Sequence, residues 1–287
     1  MYQFTRGYWR KDVYTDDDSE RSEIRSSKVP RLSGFKSVAE AQTPNGGVLH
    51  KSKRNMILKA GSFYIPKKNA LKPQGEDAHF ICPQQQAFGV ADGVGGWVKQ
   101  GVDSGEYARE LMKNSTIALQ AEPEDAVDLE RVLRVACSNT NAIGSSTACI
   151  MQLFNECLHA VNVGDSGFLV IRDGKIFYSS PIQQHKFNCP YQLGNNPKCD
   201  QPNSAMVLKV PIKLGDVIVA GTDGLFDNLY KHEIVEDVIQ GTRFMGVDPQ
   251  LVPWMHTTHH SNVIVCLPSR RHQRWLDSII LEEKKMI

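Results

Sequence analysis

The chain has 287 residues, with 33 basic against 32 acidic residues and a net charge of +1. That balance supplies no overall field to recruit nucleic acid or an anionic membrane, so any recognition of phosphate must be local. With 41% hydrophobic residues and seven irregularly spaced cysteines (82, 137, 149, 157, 189, 199 and 266), the composition suits one large domain with reduced thiols in an intracellular, soluble, monomeric protein, and it excludes a disulfide framework. No apolar run reaches the length of a membrane span, and the first thirty residues hold no signal-peptide core.

Residues 1–50 are rich in Arg, Lys, Asp, Ser and Gly and poor in branched apolar residues, which predicts a flexible polar extension. The acidic run at residues 16–20 is unlike an acid-poor transit peptide, and it leaves cytoplasm, mitochondrion and chloroplast open. The folded domain is expected over 51–268, followed by a basic tail at 269–287 that includes Arg270, Arg271 and Arg274.

An opening strand is predicted at 56–66, then two short strands at 78–82 and 87–91 with hairpin spacing between them. A helix capped by Asp103 or Ser104 follows, carrying Tyr107, Leu111, Met112, Ala118 and Leu119 on one face. A second starts at the cap Asp128, with Leu129, Val132, Leu133, Ala136, Cys137 and Thr140 at helical spacing. Strands at 146–153, 157–163, 168–172 and 175–179, split by short turns, read as an antiparallel meander. Residues 183–204 read as a surface loop, 205–210 and 216–220 as strands, and about 232–240 as a helix. Strands in runs between long helices favour an α+β layered fold over a doubly wound one.

Four turns pair glycine with an acid: Gly75-Glu76-Asp77, Ala91-Asp92-Gly93, Gly164-Asp165-Ser166-Gly167 and Gly221-Thr222-Asp223-Gly224. Glycine beside a carboxylate lets the chain turn sharply and lets another segment approach closely. Carboxylates at strand ends are the oxygen ligands that Mg²⁺ or Mn²⁺ take while keeping several waters. Two such ions about 3.5–4 Å apart can activate a water and clamp a phosphoester for in-line displacement.

Gly75-Glu76-Asp77-Ala78, Ala91-Asp92-Gly93-Val94-Gly95-Gly96-Trp97, Gly144-Ser145-Ser146-Thr147-Ala148-Cys149, Gly164-Asp165-Ser166-Gly167 and Gly221-Thr222-Asp223-Gly224-Leu225-Phe226-Asp227-Asn228 occur in one order. With them the chain, over about 58–240, resembles the metal-dependent type 2C Ser/Thr protein phosphatases, in particular the plant and mitochondrial branch with Val-Gly-Gly-Trp after the Asp-Gly. The resemblance implies a four-layer αββα sandwich of two antiparallel sheets flanked by helices, with two Mn²⁺ or Mg²⁺ ions at one end. It implies that Asp92 bridges the ions, that Glu76 and the Gly93 carbonyl serve one, and that Asp223 serves the other. Asp165 and Asp227 are implied at a weaker third ion, and Asp77 just behind the ligands. The substrate implied is a phosphoserine or phosphothreonine protein, and no covalent phosphoenzyme forms.

This sequence departs from the family at three residues, and the stretch from Asp223 to Ser261 is shorter than the family's, so the domain's C-terminal part from about Gly246 is expected to be shortened or altered. Lys72 stands where many members carry the arginine that captures phosphate, and lysine offers a point charge without the bidentate fork. Val94 replaces a histidine often found after the Asp-Gly. At 261–267, where the family's strand delivers a further carboxylate, Ser261 stands at the ligand position, and a hydroxyl brings no negative charge. A non-enzymatic relative that binds phosphoproteins or partners through the same surface is therefore the second reading. Ser166, in a protease-like Gly-Asp-Ser-Gly, lacks a suitable upstream histidine. His256, His259 and His260 are read as solvated, and Trp97 as packing under the acidic turn.

Overall fold

A computed structural model describes residues 56–66, 74–123, 126–244 and 261–270. The expected extension at 1–50 and the tail beyond Arg270 lie outside the described residues, and so does Lys72.

Strand β1 (Met56–Ile65) is followed by the hairpin of β2 (Asp77–Cys82) and β3 (Ala87–Asp92), close to the bounds predicted from period and turn signals. A 3₁₀ turn (Gly95–Gln100) leads to α1 (Ser104–Gln120), where the Asp103 side chain accepts from the Gly105 N–H. Helix α2 (Leu129–Asn139) starts on Asp128, which accepts from the Arg131 N–H at 3.0 Å. Both carboxylate caps satisfy amide hydrogens that a helix start leaves without partners.

The strands β4 (Ser145–Ser146), β5 (Ala148–Phe154), β6 (Cys157–Val163), β7 (Gly167–Arg172) and β8 (Lys175–Ser179) come next. They do not form the expected continuous meander. The first five-stranded sheet runs β2, β3, β5, β6 and then β12 (Met206–Pro211), whereas β7 and β8 join β13 (Val217–Gly221), β14 (Ser261–Arg270) and β1 in a second. The chain changes sheets at residues 164–166. Gly164 makes this possible: its φ is +98°, and a Cβ there would lie 2.6 Å from the Tyr191 carbonyl oxygen and 2.7 Å from the Thr147 side chain. Hairpin spacing misled because β7 is buried along nearly its whole length, so no alternation marks which sheet it joins.

Residues 183–204 are also more ordered than a plain loop. They contain β9 (Gln184–Lys186) paired with β10 (Cys189–Pro190), and β11 (Leu193–Gly194) paired with β4. After β13 come one turn of helix, α3 (Asp223–Phe226), and then α4 (Lys231–Phe244).

The packing is four layers. Val90, Met151 and Leu158 on the inner face of the first sheet meet Phe168, Ile218 and Ile264 on the inner face of the second. The outer face of the first sheet carries Phe80, Ile150 and Val161 against Leu111 of α1 and Leu133 of α2. Val219, Val263 and Val265 on the outer face of the second pack against Ile234 and Val238 of α4. Ile218 and Val219 thus face opposite layers, the period of two expected of a strand buried on both sides. The expected α+β sandwich is the fold observed. All seven cysteines are free thiols.

Two phenylalanines should separate core from surface. Phe88 is fully buried between the sheets, and Phe187 at the β9–β10 tip is 96% exposed. Phe88→Ala is expected to cost about 3–5 kcal/mol in urea unfolding, and Phe187→Ala no more than about 0.5 kcal/mol. Equal losses would contradict this layer assignment.

Candidate functional site

The β2–β3 register pairs Asp77 with Asp92, so the hairpin alone sets two acids side by side at one end of the sheet. The Gly93 N–H donates to the Glu76 carbonyl at 3.1 Å. Across the sheet, the Asp92 N–H donates to Thr147 Oγ1 at 3.0 Å while the Thr147 N–H donates to the Asp92 carbonyl at 2.9 Å. The Asp92 backbone is therefore fixed on both sides.

Asp223 arrives from the other sheet. Strand β13 ends at Gly221, and Thr222 starts α3, accepting from the Leu225 N–H at 3.0 Å, so Asp223 sits in the first turn. The Asp77 and Asp92 side chains lie within hydrogen-bonding reach of each other, as do those of Asp92 and Asp223. Asp92 is the middle member. Asp165, at the corner where the chain changes sheets, feels the charge of Asp223, and Asp227, at the end of α3, feels those of Asp223 and Asp165.

Crowding shows in the electrostatics. Burial first, then the charges of Asp77 and Asp223, push the Asp92 carboxyl well above the usual carboxylate range. Asp77 is raised by burial, with Asp223 and Glu76 adding to the shift and contacts with Asp92 and Thr222 offsetting part of it. Asp165 and Asp227 are likewise raised, burial being the largest cause for each. Among the described residues no lysine, arginine or histidine forms an ion pair with any of these acids. Uncompensated carboxylates gathered this way require either protons or cations.

No three His, Cys, Asp or Glu side chains among the described residues form a ready-made metal cage. Carboxylate oxygens are the donors that a hard ion such as Mg²⁺ or Mn²⁺ takes while it keeps several waters. The Glu76 carboxylate belongs to the same end: Oε1 accepts from Ser104 Oγ at 2.5 Å, and Oε2 would lie 3.5 Å from a Cβ at Gly95.

The structure thus gathers Glu76, Asp77, Asp92, Gly93, Asp223, Asp165 and Asp227 at one end of the sandwich. Ser166 is no nucleophile: it is buried, and its hydroxyl is 2.6 Å from Thr147 Oγ1. Trp97 braces the turn through its indole N–H, which donates to Ser145 Oγ at 2.7 Å. His256, His259 and His260 lie outside the described residues, and the side chain of Ser261 is not described. Sequence reading took Ser104 only as a possible helix cap and missed Gly105 and Arg109, although a glycine just inside a helix start was a visible sign of close backbone approach.

A four-layer sandwich with acids gathered at one end of its strands is the class of fold found in the metal-dependent Ser/Thr phosphatases. The catalytic domain of the serine/threonine protein phosphatase PstP in complex with two manganese ions superposes at TM-score 0.54 with 15% identity, covering 75% of this chain and 99% of that one, a likeness of fold alone. The photosystem II phosphatase PBCP superposes at TM-score 0.66 with 30% identity, covering 73% of this chain and 98% of that one. A probable protein phosphatase 2C 55 of Arabidopsis thaliana is 53% identical over 194 residues, which are 68% of this chain and 41% of that protein. No family model matches the chain. The chain belongs to the protein phosphatase 2C family. It spans less than half the length of the first two curated relatives, 41% and 48%.

If the acids repel one another as their geometry requires, Asp92→Asn should stabilise the protein in EDTA. Relief of about 1 kcal/mol would raise the melting temperature by roughly 2–4 °C. A clear fall in calorimetry would mean that Asp92 holds its neighbours together.

Proposed function

We propose that this chain hydrolyses phosphoserine and phosphothreonine monoesters of proteins, with Mn²⁺ or Mg²⁺ held at the acid cluster. The observation that carries the reading is the contact of Asp92 with both Asp77 and Asp223, with no cationic side chain among the described residues to balance them. Two ions are expected, by analogy with the PstP complex. Asp92 would bridge them, Glu76 and the Gly93 carbonyl would serve one side, and Asp223 the other. Asp165 and Asp227 offer a separate, weaker cation site, and Asp77 orients Asp92 from behind. When bound, the ions would supply an activated water and neutralise charge on the phosphoryl oxygens.

The chain's own residues define the rest. Lys72 would draw the phosphate in as a point charge. Val94 has no proton to give the leaving alkoxide, so a water, at the metal centre or from bulk, would have to supply it. The buried Ser166 and the family resemblance both favour direct attack by water over a covalent phosphoenzyme.

The C-terminal strand bears on how active the chain is. Strand β14 carries no acid, and its register with β13 pairs Gly221 with Val263. The pairing ends there, and the α3 turn that carries Asp223 packs through Leu225 against Val263 of β14. We take the family's further carboxylate to be missing at this point, with activity reduced as a result.

The test is Mn²⁺-dependent hydrolysis of p-nitrophenyl phosphate and of a phosphothreonine peptide. Charge stabilisation by bound metal is worth several kcal/mol, so Asp92→Asn should lower kcat on the order of 10³-fold. Ser261→Asp should raise activity or tighten Mn²⁺. A folded parent chain that hydrolyses neither substrate would overturn the phosphatase reading, and an inert Ser261→Asp would overturn the missing-ligand reading alone.

A further inference from the structure

We infer that the first turns of α1 are the platform that orients Glu76 toward metal, with Ser104 and Arg109 as its positioning residues. The inference rests on the metal-centre reading above and names residues that reading does not use.

Glu76 sits in a turn that α1 grips at two points. Ser104 Oγ donates to Glu76 Oε1 at 2.5 Å, and Arg109 Nη1 donates to the Gly75 carbonyl at 3.0 Å. Arg109 is itself aimed: Nη2 pairs with Asp103 Oδ2, while the other oxygen of Asp103 accepts from the Gly105 N–H at 3.1 Å and caps the helix. One aspartate therefore fixes both the start of α1 and the guanidinium that reaches the turn. The planar fork serves the Asp103 carboxylate and the Gly75 carbonyl from two separate nitrogens in one rigid geometry.

The opposite side of the turn is closed by β1. The Asp77 N–H donates to the Tyr64 hydroxyl at 3.3 Å, and a Cβ at Gly75 would fall 1.9 Å from that hydroxyl. Gly105 is glycine for a matching reason: a Cβ there would lie 2.5 Å from the Gly75 carbonyl oxygen and 3.0 Å from Glu76 Cα. Glycine weakens a helix, so its place in the first turn fits a need for backbone contact.

Among neighbouring acids, an unheld Glu76 would be driven toward solvent. The Ser104 hydroxyl fixes Oε1 and so holds the carboxylate beside Gly95, where a Cβ would lie 3.5 Å from Oε2 and 3.6 Å from Oε1, two residues on from the Gly93 carbonyl that would serve the same ion. Groups that orient a ligand in this way typically change metal affinity by about 10–100-fold.

Mn²⁺ binding to the full chain would be measured by calorimetry and by the electron paramagnetic resonance of free Mn²⁺, with melting temperatures in EDTA as the control for folding. Ser104→Ala and Arg109→Met should each weaken the tighter Mn²⁺ site about tenfold or more. Arg109→Lys, which can still reach the Gly75 carbonyl, should recover part of the loss. Asp103→Asn keeps a capping oxygen but loses the guanidinium partner, so it should weaken Mn²⁺ in the same direction while the metal-free melting temperature stays near that of the parent. If Arg109→Met fails to fold, Ser104→Ala and Asp103→Asn carry the test. Unchanged Mn²⁺ affinity in the folded variants, with or without a lower melting temperature, overturns the positioning role and leaves the metal centre standing. A parent chain that binds no Mn²⁺ beyond the level of Asp92→Asn overturns both.

Discussion

Three backbone segments meet at one point in this structure, and the acid cluster depends on that meeting. A Cβ at Gly93 would lie 1.9 Å from the Ser104 carbonyl oxygen and 2.7 Å from that of Glu76, and a Cβ at Gly105 would strike the same turn from the helix side. Side chains there would hold the segments apart, and the hydrogen bond from the Gly93 N–H to the Glu76 carbonyl could not form. The hairpin register brings Asp77 opposite Asp92, but it is close backbone approach that stacks Glu76, the Asp-Gly turn and the start of α1 together. The acids are placed by main chain, which is stiffer than side chain and less able to relax away from like charge.

That stiffness has a thermodynamic consequence. Carboxylates raised by burial and by one another destabilise the fold when ionised, and the cores on either side must offset the strain. The sandwich is suited to this, since β13 buries Ile218 and Ala220 against the other sheet and Val219 against α4, and so is held on both faces just before the turn that carries Asp223. A site under electrostatic stress thus sits at the ends of the most buried strands.

Much of this was legible in the sequence for identifiable reasons. The caps Asp103 and Asp128, the faces of α1 and α2, and the β2–β3 hairpin follow from spacing and turn chemistry acting within a few residues. Glu76, Asp92, Asp165 and Asp223 were legible because each lies beside a glycine, whereas Asp77 and Asp227 were legible only as members of the same motifs. What escaped was non-local. The passage between sheets at Gly164 looks like an ordinary hairpin turn, because a fully buried strand shows no alternation. The contacts of Ser104 and Arg109 with the turn at 75–77 cross about thirty positions of chain, and no local period encodes them.

The polar stretch 183–204, which reads in sequence as a loop, is tied into the site from both ends. The Val94 N–H donates to the Ser145 carbonyl at 2.9 Å, and Ser145 Oγ accepts from the Trp97 indole while donating to Gln192 at 2.6 Å. The Gln192 N–H donates to Asp200 Oδ2 at 2.9 Å, and that carboxylate is 3.0 Å from His185 Nε2. Beside His185, Gln184 donates to Asp165 at 3.0 Å. Hydrogen bonds therefore run from the turn after Asp92, through the inserted strands, back to the outlying acid Asp165. Displacing the β9–β10 hairpin would remove the donor held against Asp165 and loosen the support under Trp97 together, so this stretch works as a brace joining the two ends of the acid cluster.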